Sequence, residues 1–209
     1  MIKKLGLTQS LADPSLYTKT HDDGTRLLVC TIVDDFIITG NKTAVQLFKA
    51  AVAKEWEMTD EGRLFWCLNL RVTRDLSKGL LKVDQAQYVR EMLVKFNMEA
   101  CNPRKTPMDE RPVLSSVPCP ENFKGKQDSK KFEHDLGNFP YASALGSLLY
   151  LRLTRPDALV AISMLSRFLK CPLPQHWAAV KALLRYLKGS INRGLLYESS
   201  SSNLSLDDE

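Results

Sequence analysis

Apolar residues recur with a strand-like pattern in the first third of the chain and with a helical period through most of the rest. Residues 26–33 are apolar on both faces except at their ends, and residues 36–39 form a second run of β-branched and aromatic residues. Such residues favour strands. Asp23-Gly24, which follows the run 15–19, is a strong hairpin-turn signal. The pattern predicts antiparallel strands with 26–33 at the centre of the sheet.

A helix and a second group of strands are predicted next. Residues 43–56 place four apolar side chains near one helical face: Val45, Phe48, Val52 and Trp56. Residues 63–74 and 80–83 then have the composition of strands, and residues 77–79 have that of a turn.

The period becomes helical at residue 84. We expect Asp84 to cap this helix with Gln87 completing an approximate capping box, and Asn102-Pro103 to end it. Residues 103–138 hold five of the ten prolines and a charged tract, a composition typical of a linker.

The last part of the chain is predicted to be helical. A helix is expected from Tyr141, and Pro156 and Pro174 each suit the first position of a further helix. Gly189 is expected to stop the last helix, and residues 198–209 form a polar tail.

Composition and charge narrow the function only slightly. The 209 residues are 44% hydrophobic and 25% charged, which is typical of a globular protein. The formal charge of +5 suggests a polyanionic partner only weakly. Five scattered cysteines without a C-x-x-C pair argue against zinc. Without a secretory signal or an apolar run of about 20 residues, we expect an intracellular protein, in cytoplasm or nucleus, that makes no use of a membrane.

The adjacent carboxylates Asp34 and Asp35 lie between two apolar runs, where like charges repel each other. They have two interpretations. Aspartate is common in turns, and on this dipeptide alone the turn interpretation is favoured. The alternative is a site for Mg²⁺, which prefers carboxylate oxygens and keeps several waters.

Ordered blocks along nearly the whole chain favour the metal site. "LLVCTIVDDFIITG" resembles the copia-type retrotransposon reverse transcriptases, whose signature is Tyr-Val-Asp-Asp between two apolar strands. "YASALGSLLYLRLTRPD" is similar to the segment of that family that ends in T-R-P-D. Seven blocks carry the resemblance, at residues 5–19, 27–40, 56–72, 83–98, 105–109, 141–157 and 176–197.

The resemblance implies Mg²⁺-dependent, RNA-directed DNA synthesis on an RNA or DNA template–primer. Asp34 is then the principal metal ligand and Asp35 a secondary ligand or electrostatic support. Six residues are expected to contact the template–primer, five of them basic: Arg63, Asn69, Arg71, Arg74, Lys78 and Lys82. Without the resemblance, the basic residues would be taken as solubilising surface charge.

The same resemblance implies an α+β fold divided into five parts. An antiparallel palm half-sheet with a flanking helix is expected at 1–83 and a thumb-like helix at 84–102. A linker follows at 103–138, then a helical connection region at 139–197 and a flexible tail at 198–209. The fingers and the palm segment that carries a third catalytic aspartate in that family are expected to precede residue 1.

Three departures from the family pattern open a second hypothesis. Ile32 stands where the family has tyrosine, Cys67 where it has phenylalanine, and Asn69 where it has the glycine of a turn that would contact the primer. With the third aspartate absent, we expect the chain to be inactive alone. The alternative is a domesticated, non-catalytic scaffold or nucleic-acid-binding subunit held in a larger protein assembly.

Overall fold

The computed structural model describes residues 5–109, 114, 140–170 and 172–199. Within these residues the chain divides into two compact units, the first ending at Leu64 and the second beginning at Phe65. Both contain a four-stranded antiparallel sheet, with one α-helix in the described part of the first unit and four in that of the second, so the predicted mixed α and β class is confirmed. None of the helices in the described ranges is long and apolar enough to cross a membrane.

The sheet of the first unit contains the three strands that the sequence predicts and a short first strand that it does not. Its strands follow one another in the sheet as they do in the chain: β1 Thr8–Gln9, β2 Leu16–Thr20, β3 Arg26–Ile32 and β4 Asp35–Gly40. The Asp23-Gly24 turn joins β2 to β3, where Gly24 has a φ of 81° and the Asp23 carboxylate accepts a hydrogen bond from the amide of Thr25. A left-handed φ at this position suits glycine, which has no Cβ.

Helix α1, Lys42–Glu55, covers one face of this sheet. Asn41 is the N-cap of this helix, and its side chain accepts a hydrogen bond from the amide of Thr43. Phe48 and Val52 are buried as the helical pattern predicts, together with Ala44. They pack in one core with residues of β3, and Trp56 is only partly buried at its edge.

The second sheet differs from the prediction in two ways. Its strands are β5 Trp66–Cys67, β6 Leu70–Asp75, β7 Leu80–Asp84 and β8 Gly194–Glu198. The predicted strand 63–74 is interrupted by a tight turn at Leu68-Asn69. Residues 194–198 form β8 and pair with β7, although 194–197 were expected in a helical region and residue 198 in the flexible tail. A strand that pairs with a partner more than a hundred residues away leaves only a weak local signal.

Helix α2, Ala86–Lys95, is shorter than predicted at both ends. Asp84 is fully buried and caps only the amide of Ala86, while Gln87 bonds to Glu91, so the predicted capping box is wrong. The helix ends at Lys95, well before Asn102-Pro103, because Asn97 just beyond it adopts a left-handed φ of 54°. The amides of residues 97 and 98 then bond back to carbonyls 94 and 93, which completes a Schellman motif.

Three further helices form the main core of the second unit together with α2: α3 Tyr141–Tyr150, α4 Leu159–Ser166 and α5 Pro174–Gly189. Pro174 begins α5 as predicted. Pro156 begins a 3₁₀ turn, and α4 starts three residues later. A buried hydrogen bond of 2.6 Å from Thr154 to Gln85 links this helical region to the start of α2.

The chain between α2 and residue 109 lies along α5. Arg185 and Lys188 donate hydrogen bonds to the carbonyl oxygens of residues 99, 101 and 102. A side chain at Gly189 would be crowded here, since a Cβ would lie 3.0 Å from the Arg104 carbonyl oxygen. Close approach therefore accounts for this glycine, which belongs to α5 and is not the predicted residue beyond its end. Most of the predicted linker 103–138 and of the tail 198–209 lies outside the described residues.

Candidate functional site

The two carboxylates Asp34 and Asp35 lie at the tip of the β3–β4 hairpin, as predicted. Ile32 pairs with Asp35, so the central turn residues are Val33 and Asp34, and Asp35 is the first residue of β4. All three residues from Val33 to Asp35 are exposed. The hairpin therefore presents both carboxylates to solvent on a rigid two-stranded base.

The turn itself holds an unusual backbone conformation. Val33 has a φ of 54°, a left-handed value that a β-branched residue rarely adopts. A positive φ at only the first central residue is the pattern of a type II′ turn, in which glycine is the usual occupant. The side chain of Val33 is 97% exposed, so burial does not compensate for this strain.

The donor chemistry of the hairpin suits a hard divalent cation. Mg²⁺ accepts carboxylate oxygens and water, and an exposed pair of aspartates can supply the former. Within the described ranges, no group of three or more His, Cys, Asp or Glu side chains is close enough to hold a metal ion. The type of ligand therefore suits Mg²⁺, and the hairpin supplies two protein carboxylates for it.

The six residues predicted to contact nucleic acid are divided between the two units. Arg63 is exposed and belongs to the first unit. The other five belong to the second unit, where the sheet register separates them. Arg71 lies opposite Asp84 and Arg74 lies opposite Leu81, so these two arginines occupy opposite faces of β6. Contact of these residues with nucleic acid stays a prediction.

Three of these cations have acidic partners. Asp84, fully buried, pairs with Arg71 at 2.9 Å and with Lys82 at 3.5 Å. Burial by itself would raise the pKa of Asp84, but the hydrogen bonds from Arg71 and from a backbone amide, with the charges of Arg71 and Lys82, lower it overall. Lys78 lies 3.5 Å from Asp75 on the surface. Arg74 is exposed, and no ion pair is observed for it among the described residues.

Asn69 lies in the tight turn between β5 and β6. Leu68 and Asn69 have φ values of 48° and 58°, and two consecutive left-handed residues are the pattern of a type I′ turn. Asparagine is among the few residues other than glycine that tolerate this conformation. The change from the family's glycine to Asn69 is therefore compatible with a turn at this position.

Charge is distributed unevenly between the two units. The described part of the second unit has sixteen Lys and Arg residues against seven Asp and Glu, an excess of nine positive charges. The described part of the first unit has six against nine, an excess of three negative charges. The modest charge of the whole chain therefore conceals a strongly basic second unit.

A polar network that the sequence did not reveal surrounds Arg155, which is 1% exposed. Its guanidinium donates to Asp157 at 2.8 and 3.0 Å and to Ser190 at 2.7 and 3.1 Å. Tyr186 also donates a hydrogen bond to Asp157, and Arg193 bonds to Tyr186. The T-R-P-D block therefore acts in this structure as an anchor between α5 and the start of α4. Its only sequence signal was an arginine and an aspartate on either side of a proline.

The comparisons with known proteins agree with the sequence blocks. The family described as reverse transcriptase (RNA-dependent DNA polymerase) matches residues 1–110. The retrovirus-related Pol polyprotein from transposon TNT 1-94 of Nicotiana tabacum is 32% identical over 92% of this chain. Those from transposons RE2 and RE1 of Arabidopsis thaliana are 28% and 29% identical, each over 95% of this chain.

The chain spans only 14%, 13% and 12% of the length of these three relatives. No solved structure matches it significantly. The matched family covers more than half of the chain, including both carboxylates of the hairpin and the Leu68-Asn69 turn. The predicted resemblance is thus confirmed, and the chain belongs to the reverse transcriptase (RNA-dependent DNA polymerase) family of copia-type retrotransposon polyproteins.

Proposed function

We propose that this chain is the part of a Mg²⁺-dependent, RNA-directed DNA polymerase that carries its metal-binding hairpin. The observation that carries the proposal is the exposed Asp34-Asp35 pair at the tip of the β3–β4 hairpin, within the segment that matches the family. Asp34 is the principal ligand and Asp35 the secondary one. When bound, the metal ions stabilise the attacking and leaving oxygens of nucleotidyl transfer.

The chain by itself is proposed to be inactive in nucleotide addition. Asp34 lies in the turn and Asp35 begins β4, so the hairpin tip itself offers a metal ion two carboxylates. Two exposed carboxylates hold Mg²⁺ weakly and leave most of its coordination to water. Two-metal transfer needs additional oxygen ligands, which a third aspartate supplies in the resembling family.

Nucleic acid is the proposed partner of the second unit, whose excess of nine positive charges suits a polyanion. Arg74 and Lys78 are the exposed cations of its sheet, and Asn69 lies at an exposed turn. Arg71 and Lys82 contribute less, because they are already paired with Asp84. Arg63, in the first unit, is proposed as a separate phosphate contact. Such contacts give affinity without reading the base sequence.

In this proposal the first sheet is a palm half-sheet, α2 is thumb-like, and α3 to α5 form the connection region. A protein that acts on a template–primer would work in the cytoplasm or the nucleus. The second candidate is a domesticated nucleic-acid-binding scaffold that belongs to a larger assembly. It is favoured by the strongly basic second unit, whose charge suits nucleic acid whether or not the hairpin binds a metal ion.

The metal proposal is tested with Mn²⁺ as a paramagnetic substitute for Mg²⁺. We expect millimolar Mn²⁺ to broaden the amide NMR signals of residues 32–36, and the broadening to be lost in Asp34→Asn. Asp22→Asn is the matched control, since Asp22 and Asp23 form an exposed acidic pair at the other hairpin of the same sheet. Broadening that is equal in both variants would refute the assignment of the metal to Asp34.

The proposed inactivity is tested by templated primer extension with Mg²⁺. We expect the wild-type chain and the Asp34→Asn variant to give the same background. Incorporation by the wild type above that variant would contradict the inactivity and would exclude the scaffold alternative. Binding of a primer–template without incorporation is the result that both candidates predict, and Mn²⁺ binding at Asp34 then favours the polymerase origin of the site.

A further inference from the structure

A side-chain hydrogen bond links the β5–β6 turn to a helix of the second unit. The hydroxyl group of Tyr150, the last residue of α3, donates a 2.6 Å hydrogen bond to the carbonyl oxygen of Leu68. Leu68 and Asn69 are the two central residues of the turn, and 82 positions of sequence separate Leu68 from Tyr150. The contact therefore joins two distant parts of the chain at the turn itself.

The hairpin that carries the turn is short and exposed. Strand β5 is only two residues long, and the side chain of Leu68 is 57% exposed. Leu68 also has a left-handed φ of 48°, which costs free energy for a residue with a Cβ. A short hairpin with exposed side chains opens easily unless a tertiary contact holds it. The Tyr150 hydroxyl group supplies such a contact.

The ring of Tyr150 is itself held in place. It packs edge-to-face against Tyr88 of α2, with ring centroids 5.2 Å apart and planes at 65°. The Tyr88 hydroxyl group donates to the carbonyl oxygen of Ser147, one turn earlier in α3, at 3.0 Å. The direction of the Tyr150 hydroxyl group is thus determined by two packed helices.

An open groove of about 340 Å³ lies beside Tyr150. It is lined by Gly146, Leu149, Tyr150, Arg152 and Leu153. Tyr150 is therefore shared between the wall of this groove and the turn that carries Asn69. An exposed arginine in the same wall suits a phosphate-bearing ligand.

We propose that Tyr150 is a positioning residue that holds the Leu68-Asn69 turn in place for its contact with nucleic acid. This inference rests on the proposed function, in which Asn69 touches the template–primer. Tyr150 acts through the turn: its hydroxyl group fixes the backbone at Leu68, and this fixes the direction of the Asn69 side chain. Because the turn is already ordered, binding of nucleic acid at Asn69 does not incur the entropic cost of ordering it.

The test uses the full chain and a short RNA–DNA hybrid duplex. Tyr150→Phe removes only the hydroxyl group and keeps the ring that packs against Tyr88. Tyr197→Phe is the matched control, because Tyr197 is 53% exposed on β8 of the same unit. We expect hydrogen exchange at the amides of residues 68–70 to be on the order of 5-fold faster in Tyr150→Phe, with the circular dichroism spectrum unchanged.

Hybrid affinity distinguishes a positioning role from a purely structural one. We expect Tyr150→Phe to weaken binding on the order of 5-fold, and Tyr197→Phe to leave it unchanged. In an Asn69→Ala background, Tyr150→Phe should still accelerate exchange but should no longer change the affinity. If Tyr150→Phe does not fold, Asn69→Ala alone must weaken hybrid binding, or the inference fails.

The outcomes separate this inference from the proposed function. Faster exchange in Tyr150→Phe with unchanged hybrid affinity would overturn the positioning role while nucleic-acid binding stands. Equal losses in the wild-type and Asn69→Ala backgrounds would also overturn it, because Tyr150 would then act independently of the turn. A wild-type chain that binds no hybrid at low salt would overturn the nucleic-acid proposal, and the positioning role with it.

Discussion

Asp157 provides a direct test of how the buried Arg155 is stabilised. Its two carboxylate oxygens accept hydrogen bonds from the guanidinium at 2.8 and 3.0 Å. Burial alone would raise the pKa of Asp157, but the hydrogen bonds from Arg155 and Tyr186 outweigh burial and lower the pKa to about 2. The folded protein therefore favours the charged carboxylate more strongly than the unfolded chain does.

The depressed pKa sets both the sign and the size of the pH dependence. The stabilisation is complete above the unfolded pKa of 3.8 and is lost as the pH falls through the folded pKa of about 2. That difference corresponds to roughly 2 kcal/mol at 1.36 kcal/mol per pKa unit. Because 28% of the Asp157 side chain is exposed, solvent screening reduces the expected contribution to about 1–2 kcal/mol.

The perturbation is Asp157→Asn, compared with the wild type by urea unfolding at pH 6 and pH 2.5. Circular dichroism at 222 nm is a suitable signal, since four of the five α-helices of the described residues belong to the second unit. At pH 6 we expect a loss of about 3 kcal/mol in unfolding free energy, because Arg155 stays charged and buried without its partner. At pH 2.5 the loss should shrink by about 1 kcal/mol.

Asp109→Asn is the control, since the Asp109 side chain is 70% exposed although it pairs with Arg104. Its effect should stay within about 0.5 kcal/mol at both pH values. A loss in Asp157→Asn that is equal at pH 6 and pH 2.5 would refute the reasoning, because it would mean that the folded pKa is not depressed.

Three further predictions follow from the backbone and the surface charge. Val33→Gly should raise the unfolding free energy of the first unit by about 1 kcal/mol in urea melts, because glycine accepts the left-handed φ at the hairpin tip; a destabilised variant would contradict the strain. Gly194→Ala should release β8 and increase proteolysis there, because a Cβ would lie 2.4 Å from a carbonyl oxygen of β7, whereas Gly146→Ala, with open space around it, should not. Arg74→Glu should weaken binding of the RNA–DNA hybrid and lower the slope of log affinity against log salt concentration by about 0.9, measured by fluorescence anisotropy. Lys181→Glu makes the same change of charge and should alter neither the affinity nor the slope.

The local features of the fold were predictable from sequence because short-range physics determines them. The Asp23-Gly24 turn and the apolar face of α1 depend on neighbouring residues, and both agree with the pattern. The carboxylate hairpin was found for the same reason: two strand-forming runs on either side of a polar pair can scarcely form anything else.

Long-range contacts account for what sequence reasoning missed. Asp84 reads locally as a helix cap, yet its main partner is Arg71, directly across the sheet. The residues of β8 have no turn or capping pattern from which their pairing with β7 could be predicted. The charged Arg155 can be buried because Asp157 and Ser190, which lie in different elements, accept hydrogen bonds from its guanidinium. These interactions depend on topology, which a single sequence specifies only indirectly.

The pairing of β7 with β8 has a consequence for how this protein could be taken apart. Asp84 lies directly opposite Gly194, so the chain departs toward the helices and comes back at points one interstrand spacing apart, about 4.8 Å. Residues 85–193 therefore form an insertion between two paired strands, and the two ends of this insertion lie next to each other. A two-residue turn could bridge such a gap, so the helical insertion could be excised or exchanged while β7 and β8 stay paired, although the β5–β6 turn would lose its contact with Tyr150. Recombination between polyproteins could therefore exchange the helical segment between β7 and β8 while the pairing of these two strands is kept.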